Sequence, residues 1–281
     1  MSLSPLLVED TVKRALFEDI GHGYDLTSQF VVDGATECTA VLKAREDGVL
    51  AGIAPAITAF TLIDPEIEYQ IEKVDGEIFK AGEEIAFIRG AAQSILTAER
   101  TALNFLRHLS GVASLTHQFV SNVEHTDVDI ICTRKTLPHL RGLQKDAVRS
   151  GGGKNHRFGL DDGILIKDNH LALCENITSA LENARNKAGH MVRIQVEVDN
   201  LDQLKKVYNT GLADAVLLDN MSIEDIKEAV RILDDILTIE VSGGVNLEKV
   251  AEIAETGVHC ISVGALTHSA RSVDLALDVL N

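Results

Sequence analysis

The sequence is short of the features that mark polyanion-binding, secreted, disordered or membrane-spanning chains. Only 26 Lys and Arg stand against 43 Asp and Glu, a formal charge of −17. That balance argues against general nucleic-acid binding and against an anionic membrane surface as partner. Four prolines in 281 residues, with 45% hydrophobic residues, give no reason to expect a long disordered tail and supply ample core. Cys38, Cys132, Cys174 and Cys260 are far apart and form no C-x-x-C pair. Reduced, mostly buried thiols in a cytoplasmic protein are the expectation. MSLSPLLVEDTVKR has neither a basic n-region nor a long apolar stretch, so no signal peptide is read. The longest uncharged run starts at Gly48, contains Pro55 and stops at Asp64. It falls short of the ~20 apolar residues of a membrane span.

Against this acidic background one stretch concentrates positive charge. Gly151 to His170, GGGKNHRFGLDDGILIKDNH, carries Lys154, His156, Arg157, Lys167 and His170 behind three glycines. Glycines let a backbone approach a ligand closely and offer unpaired N–H groups. The cluster reads as a pocket for a small, multiply anionic ligand; a glycine-rich turn into a buried strand is the plainer alternative.

The first ninety residues read as α+β with antiparallel strands. Leu6, Leu7, Val12, Ala15 and Leu16 lie at near-helical spacing, Thr36–Ala44 alternates as a strand, and Pro55 suits the start of a helix. DG, AG and RG pairs cut residues 66–90 into short β pieces. From Ser94 to about Val120, Ile95, Ala98, Ala102, Phe105, Leu109 and Val112 form the stripe of a long helix. Arg100, Asn104, Arg107 and Gly111 share another face, and Gly111 is a candidate break.

Beyond residue 128 apolar runs alternate with helical patterns. The runs are DIICTR (129–134), ILIK (164–167), VRIQVEV (192–198), AVLLDN (215–220), ILTIEVSGG (236–244) and CISVGAL (260–266). Such an order means a parallel sheet with crossover helices, barrel or open. No G-x-G-x-x-G follows the first run, which lowers the case for a dinucleotide fold. The runs end in Arg134-Lys135, Lys167-Asp168, Glu197, Asp219-Asn220, Ser242-Gly243-Gly244 and Gly264. Barrel enzymes take catalytic groups from these C-terminal strand ends, because all of them open on one face. The pattern points to an anion-binding α/β barrel. Taken singly, the arginines and Lys135 would also suit structural ion pairs, His156 a structural hydrogen bond, Glu197 and Asp219 strand caps, and Lys135 or Lys167 a Schiff base.

In this order the motifs resemble the quinolinate phosphoribosyltransferase family over nearly the full length. ALFEDIG with DLTS, AERTALNFLRHLSGVAS (98–114), TRKTLPHLR (133–141), the 151–170 stretch, VEV, LLDNM, SGGV and ISVGALTHS carry the likeness. The resemblance implies an incomplete parallel α/β barrel (113–268) preceded by a smaller α+β sandwich domain (1–112), with a C-terminal helix at about 269–281 packing on the latter. It implies transfer of phosphoribose from phosphoribosyl pyrophosphate to quinolinate with Mg²⁺, giving nicotinate mononucleotide, CO₂ and pyrophosphate. Arg134, His156 and Arg157 would clamp the two carboxylates, with Lys167 nearby. Lys135 would meet phosphoribosyl pyrophosphate. Glu197 and Asp219 would hold Mg²⁺ or face the charge developing at the ribose. Ser242, Gly243, Gly244 and Gly264 would receive the 5′-phosphate. Arg100 would reach a neighbouring subunit's site, which implies a homo-oligomer, a dimer or a hexamer of dimers. The sequence departs from the family at His139, Gln144 and Asp199, placed on the rim and around it. A molybdenum-associated relative and a non-catalytic nucleotide-binding homologue are the alternatives.

Overall fold

A computed structural model describes residues 3–280. These form two compact units. The first holds the chain up to His117, Thr136–Gly152 and everything from Ala265; the second holds Gln118–Lys135 and Gly153–Gly264. The boundary read at 112/113 falls inside one long helix.

In the first unit α1 (Pro5–Ile20) starts on proline, whose missing N–H is an orphan in a first turn anyway. It buries Val8, Val12 and Leu16, while Leu6 and Leu7 stay exposed. The Asp25 carboxylate caps α2 (Leu26–Val31) by accepting from Ser28 N at 3.0 Å. Then follow β1 (Glu37–Ala44), β2 (Gly48–Val49), α3 (Ile53–Ile63), β3 (Glu68–Ile71), β4 (Ile78–Phe79) and β5 (Glu84–Ala91). The helix α4 (Ala92–Val123) buries Ile95, Ala98, Ala102, Phe105, Leu109 and Val112, the stripe read from sequence.

Gly111 does not break α4. A Cβ there would lie 2.1 Å from the Arg271 carbonyl oxygen, so the glycine lets the C-terminal segment cross the helix. Arg107, one turn earlier, binds that segment: Nη2 pairs with Asp274 at 3.1 Å and Nε donates to Val273 O at 3.3 Å. Half of the supposed polar face is therefore a docking seam.

The helix expected at 269–281 is instead a strand, β12 (Leu275–Leu280), antiparallel to β1 from Thr39↔Leu280 to Ala44↔Leu275. The main sheet is ordered β12-β1-β5-β3. Val273, Leu275, Leu277 and Val279 alternate with Asp274, Ala276 and Asp278, a period of two. An unpaired β1 edge needs a partner for its N–H and C=O groups, and this segment supplies it.

The second unit contains β6 (Asp129–Ile131); α5 (Arg141–Ser150), next in the chain, belongs to the first. There follow β7 (Ile164–Ile166), α6 (Asp168–Leu171), α7 (Ile177–Lys187), β8 (Ile194–Val198), α8 (Leu201–Thr210), β9 (Ala215–Asp219), α9 (Ile223–Leu233), β10 (Thr238–Ser242), α10 (Val250–Ala254) and β11 (Cys260–Ser262); α11 (Ala265–His268) returns to the first unit. Asn176, Asn200 and Ser222 cap α7, α8 and α9 by accepting from backbone N–H groups three residues on. The six strands are parallel in the order β6-β11-β10-β9-β8-β7. The circle is open between β6 and β7: Lys154, not β7, bridges to Ile131 at the end of β6. This is the expected incomplete barrel. Its strands bury near-continuous apolar runs such as Val196, Val198, Val216 and Leu218, as strands covered by helices must.

Cys132 is buried, Cys38 and Cys260 are half-buried and Cys174 is exposed, so the expectation of mostly buried thiols fails; no disulfide joins them. Among the described residues no helix is long and apolar enough to cross a membrane.

Candidate active site

The C-terminal strand ends of the second unit surround a cleft of about 350 Å³ lined by Arg134, Lys135, His156, Arg157, Lys167, Glu197, Asp219, Glu240, Ser242 and Ser262, among others. The sheet's period of two selects them. Gln195 and Glu197 share one face of β8, Leu217 and Asp219 one face of β9, and Glu240 and Ser242 one face of β10. Register levels them: Glu197 stands opposite Leu217, and Asp219 opposite Ser242. A second cavity of about 360 Å³ shares Arg134, Arg157 and Lys167 and extends to His170.

Positive charge is crowded here. Burial, with the charge of Arg134 beside it, lowers the basicity of Arg157, although Asp162 offsets part of this. Arg157 Nη1 donates to Gly163 O at 2.7 Å, and Arg134 Nε is buried with no hydrogen-bond partner. Two like charges held together, one with an unspent donor, suit a bound anion. At the mouth Lys167 Nζ pairs with Glu197 Oε2, joining β7 to β8. Asn220 Nδ2 donates to Asp219 Oδ2 at 2.8 Å. Next to this pair Gly243 adopts φ +90°, and a Cβ on it would lie 2.2 Å from Asn220 Oδ1, so only glycine fits.

Glu240, on the cleft floor, was not among the residues anticipated from sequence. It is 2% exposed, yet Oε2 receives Gln195 Nε2–H at 2.7 Å and faces His156 Nε2 at 3.3 Å. Burial pushes this carboxyl up, but His156 and Gln195 outweigh it and hold Glu240 below the usual carboxylate range. The available signal was a lone acid inside the apolar run ILTIEV, two positions before Ser242 and so on its face. Burial and the charge of Glu240 push the neighbouring Cys260 thiol up to about 12, so it is no nucleophile.

Both halves of the chain match family models. Residues 25–110 match the quinolinate phosphoribosyl transferase N-terminal domain and residues 112–278 its C-terminal domain. The chain belongs to the quinolinate phosphoribosyltransferase family. It is 42% identical over 277 residues to nicotinate-nucleotide pyrophosphorylase (carboxylating) of Mycobacterium leprae, covering 96% of each protein. Its fold matches the nicotinate-nucleotide pyrophosphorylase structure from Francisella tularensis with a TM-score of 0.93 and 39% identity, over 99% of this chain and 98% of that one. It matches NadC from Streptococcus pyogenes with a TM-score of 0.95 and 37% identity over the whole of both chains.

The family likeness and the geometry do not assemble every anticipated residue. Arg134, Lys135, His156, Arg157, Lys167, Glu197, Asp219 and Ser242 line the cleft together. Gly243 and Gly244 follow Ser242, both with positive φ, and Gly264 follows β11. Arg100 is exposed on α4 in the first unit and is not among the cleft residues. Lys154 leaves the cluster for Asp129 at 2.7 Å, and His170 Nδ1 accepts from Lys167 N at 2.9 Å at the start of α6.

Of the departures, His139 holds φ +61°, a left-handed conformation that fits a glycine better. Gln144 is fully buried, accepting from Leu137 N at 2.9 Å and donating to Thr267 O at 2.7 Å, so it lies in the interior and not on a rim. Asp199 is exposed and does not line the cleft.

Proposed function

We propose that this chain transfers phosphoribose from phosphoribosyl pyrophosphate to quinolinate with loss of CO₂, giving nicotinate mononucleotide and pyrophosphate in NAD synthesis. The observation that carries the reading is the crowding of Arg134, Lys135, Arg157 and Lys167 around Glu197 and Asp219 in one cleft. A dicarboxylate needs paired guanidinium groups, and Arg134 with Arg157 supplies them. Lys135 meets the phosphoribosyl pyrophosphate. The pyridine nitrogen displaces pyrophosphate at the ribose carbon, where positive charge develops, and Glu197 and Asp219 are the preorganised negative groups facing it. The N–H groups after Ser242, at Gly243 and Gly244, with Gly264, receive the 5′-phosphate. The nicotinate-nucleotide pyrophosphorylase names of the relatives favour this reading over a molybdenum-associated one.

The donor set also suits Mg²⁺. Among the described residues no three His, Cys, Asp or Glu side chains converge as a cation site. Two carboxylates, Glu197 and Asp219, are what this ion takes when substrate phosphates and water complete its shell. Lys167 occupies Glu197 Oε2 and leaves the other oxygen. When bound, Mg²⁺ would neutralise charge on the pyrophosphate.

Arg100 in this reading completes the site of a second copy of the chain, in a dimer or a hexamer of dimers. The first unit also exposes Tyr24, Leu26, Phe30 and Val31, an apolar group suited to cover by another subunit. Gln93 Nε2–H donates to Val32 O at 2.7 Å, tying the end of α2 to the first turn of α4, the helix that carries Arg100. The enzyme works in the cytoplasm. Incubating the protein with quinolinate, phosphoribosyl pyrophosphate and Mg²⁺ should yield nicotinate mononucleotide; no product would overturn the reading.

A further inference from the structure

Both ring nitrogens of His156 are engaged inside the second unit. Nδ1 accepts the Arg157 backbone N–H at 2.7 Å, while Nε2 lies 3.1 Å from Gln195 Oε1 and 3.3 Å from Glu240 Oε2. A backbone N–H can only donate, so Nδ1 carries no proton and the ring proton sits on Nε2. Gln195 agrees with this assignment. Its amide nitrogen donates to Glu240 at 2.7 Å, which turns its oxygen toward the imidazole.

The imidazole is thus a link. Glu240 anchors one side of it, and the backbone of Arg157 is held by the other. The Arg157 side chain has a second anchor at its far end, where Nη1 donates to Gly163 O at 2.7 Å. Held at both ends, the guanidinium keeps one course along the cleft wall. An arginine that recognises a planar anion gains from being set in advance, because less freedom is lost on binding.

We propose that Glu240 is a positioning residue for substrate recognition, acting through the His156 tautomer to fix Arg157. The proposal rests on the cleft's being a quinolinate site. An apolar residue in place of Glu240 removes the acceptor for Nε2–H. The ring is then free to take its other tautomer, in which Nδ1–H meets the Arg157 N–H donor to donor. Arg157 loses its backbone anchor although nothing touching it has been changed. Glu240 is 3% exposed at its side chain, so this action is local to the floor.

Calorimetric titration of quinolinate and of phosphoribosyl pyrophosphate into five variants tests the link. Glu240→Leu and His156→Ala should each weaken quinolinate at least about tenfold, the loss of one hydrogen bond's ordering. Their combination should be no weaker than the worse of the two, since both cut one chain. Glu240→Gln keeps an oxygen for Nε2–H, and His156→Asn keeps an acceptor for the Arg157 N–H; both should stay within about threefold of the unsubstituted protein. Phosphoribosyl pyrophosphate binding should hold within about threefold throughout.

If His156→Asn is as weak as His156→Ala, the effect does not run through the Arg157 N–H and the proposal falls. Unchanged binding in Glu240→Leu overturns it too. Nitrogen NMR of the unsubstituted, histidine-labelled protein reads the tautomer directly, with no need of a variant that folds or of substrate: a proton on Nδ1 of His156 at neutral pH refutes the link. Failure of the unsubstituted protein to bind quinolinate would instead refute the substrate reading, and leave the tautomer measurement to decide the Glu240–His156–Arg157 chain.

Discussion

Lys167 and Glu197 pair across the ends of the neighbouring strands β7 and β8, at the mouth of the cationic cleft. The glutamate side chain is 12% exposed and the lysine 42%, so the acid is the fixed member of the pair. Its place is set by the sheet, opposite Leu217 and one residue from the end of β8. A fixed carboxylate costs no reorganisation when charge develops beside it.

Glu197→Gln and Asp219→Asn should therefore keep quinolinate binding and lose turnover by roughly 100- to 1,000-fold each, the usual loss for one preorganised electrostatic partner. Single-turnover rates beside quinolinate titrations separate the two effects. Near-normal rates would reduce both acids to strand caps.

Nicotinate has one carboxylate where quinolinate has two. In a cleft where Arg134 already has an unspent Nε, the single acid leaves a cationic group unpaired. An unpaired buried donor costs roughly 1–3 kcal/mol, more when charged, so kcat/KM should favour quinolinate by at least ~100-fold. Competition assays with both acids measure this, and equal use would point to a transferase that does not decarboxylate.

Arg100→Ala should fold normally, because the side chain is exposed on α4, yet bind quinolinate poorly. Mixed with an equally inactive Lys135→Ala protein, it should regain activity. A mixed dimer then has one site built from two intact halves. If no activity returns after verified subunit exchange, Arg100 is not a residue donated to a partner.

Asp75 should carry a stability cost at neutral pH. Burial raises its pKa, although the backbone N–H groups of Ile53 and Gly52 act against this, and Asp146 adds to the rise. A carboxyl raised in the folded state stabilises below its unfolded pKa, and the benefit is lost as pH climbs through the folded value. Asp75→Asn, whose oxygen can still accept from Ile53 N, should raise Tm at pH 7, with the gain shrinking toward pH 3. An equal gain at both pH values would assign the effect to something other than ionisation.

Gly111→Ala should destabilise the first unit without touching the cleft residues. The added carbon meets the Arg271 carbonyl oxygen, which is backbone and cannot swing away. Overpacking of this kind costs typically 1–3 kcal/mol, or a Tm loss of roughly 2–4 °C for each kcal/mol in a chain of this size. An unchanged melting curve would mean that the C-terminal segment does not cross α4 there.

By itself the sequence determined the alternation of apolar strands and amphipathic helices after residue 128, and with it a parallel sheet with crossover helices, because periodicity depends only on which residues must be buried. It also determined the cations and acids at the strand ends, since Arg134, Lys167, Glu197 and Asp219 each close an apolar run. Tertiary structure decided the rest. The segment after Ser269 became a strand because the β1 edge had backbone groups to satisfy, a demand made by residues more than two hundred positions away. Gly111 stayed inside a helix because another backbone passes over it. Lys154 and His170, neighbours of the site residues in the chain, were drawn off to Asp129 and to a helix start. Glu240 joined the site because parallel register puts it on the inward face of β10, facing His156. Pairing across a sheet is set by the whole chain's packing, and no local pattern records it.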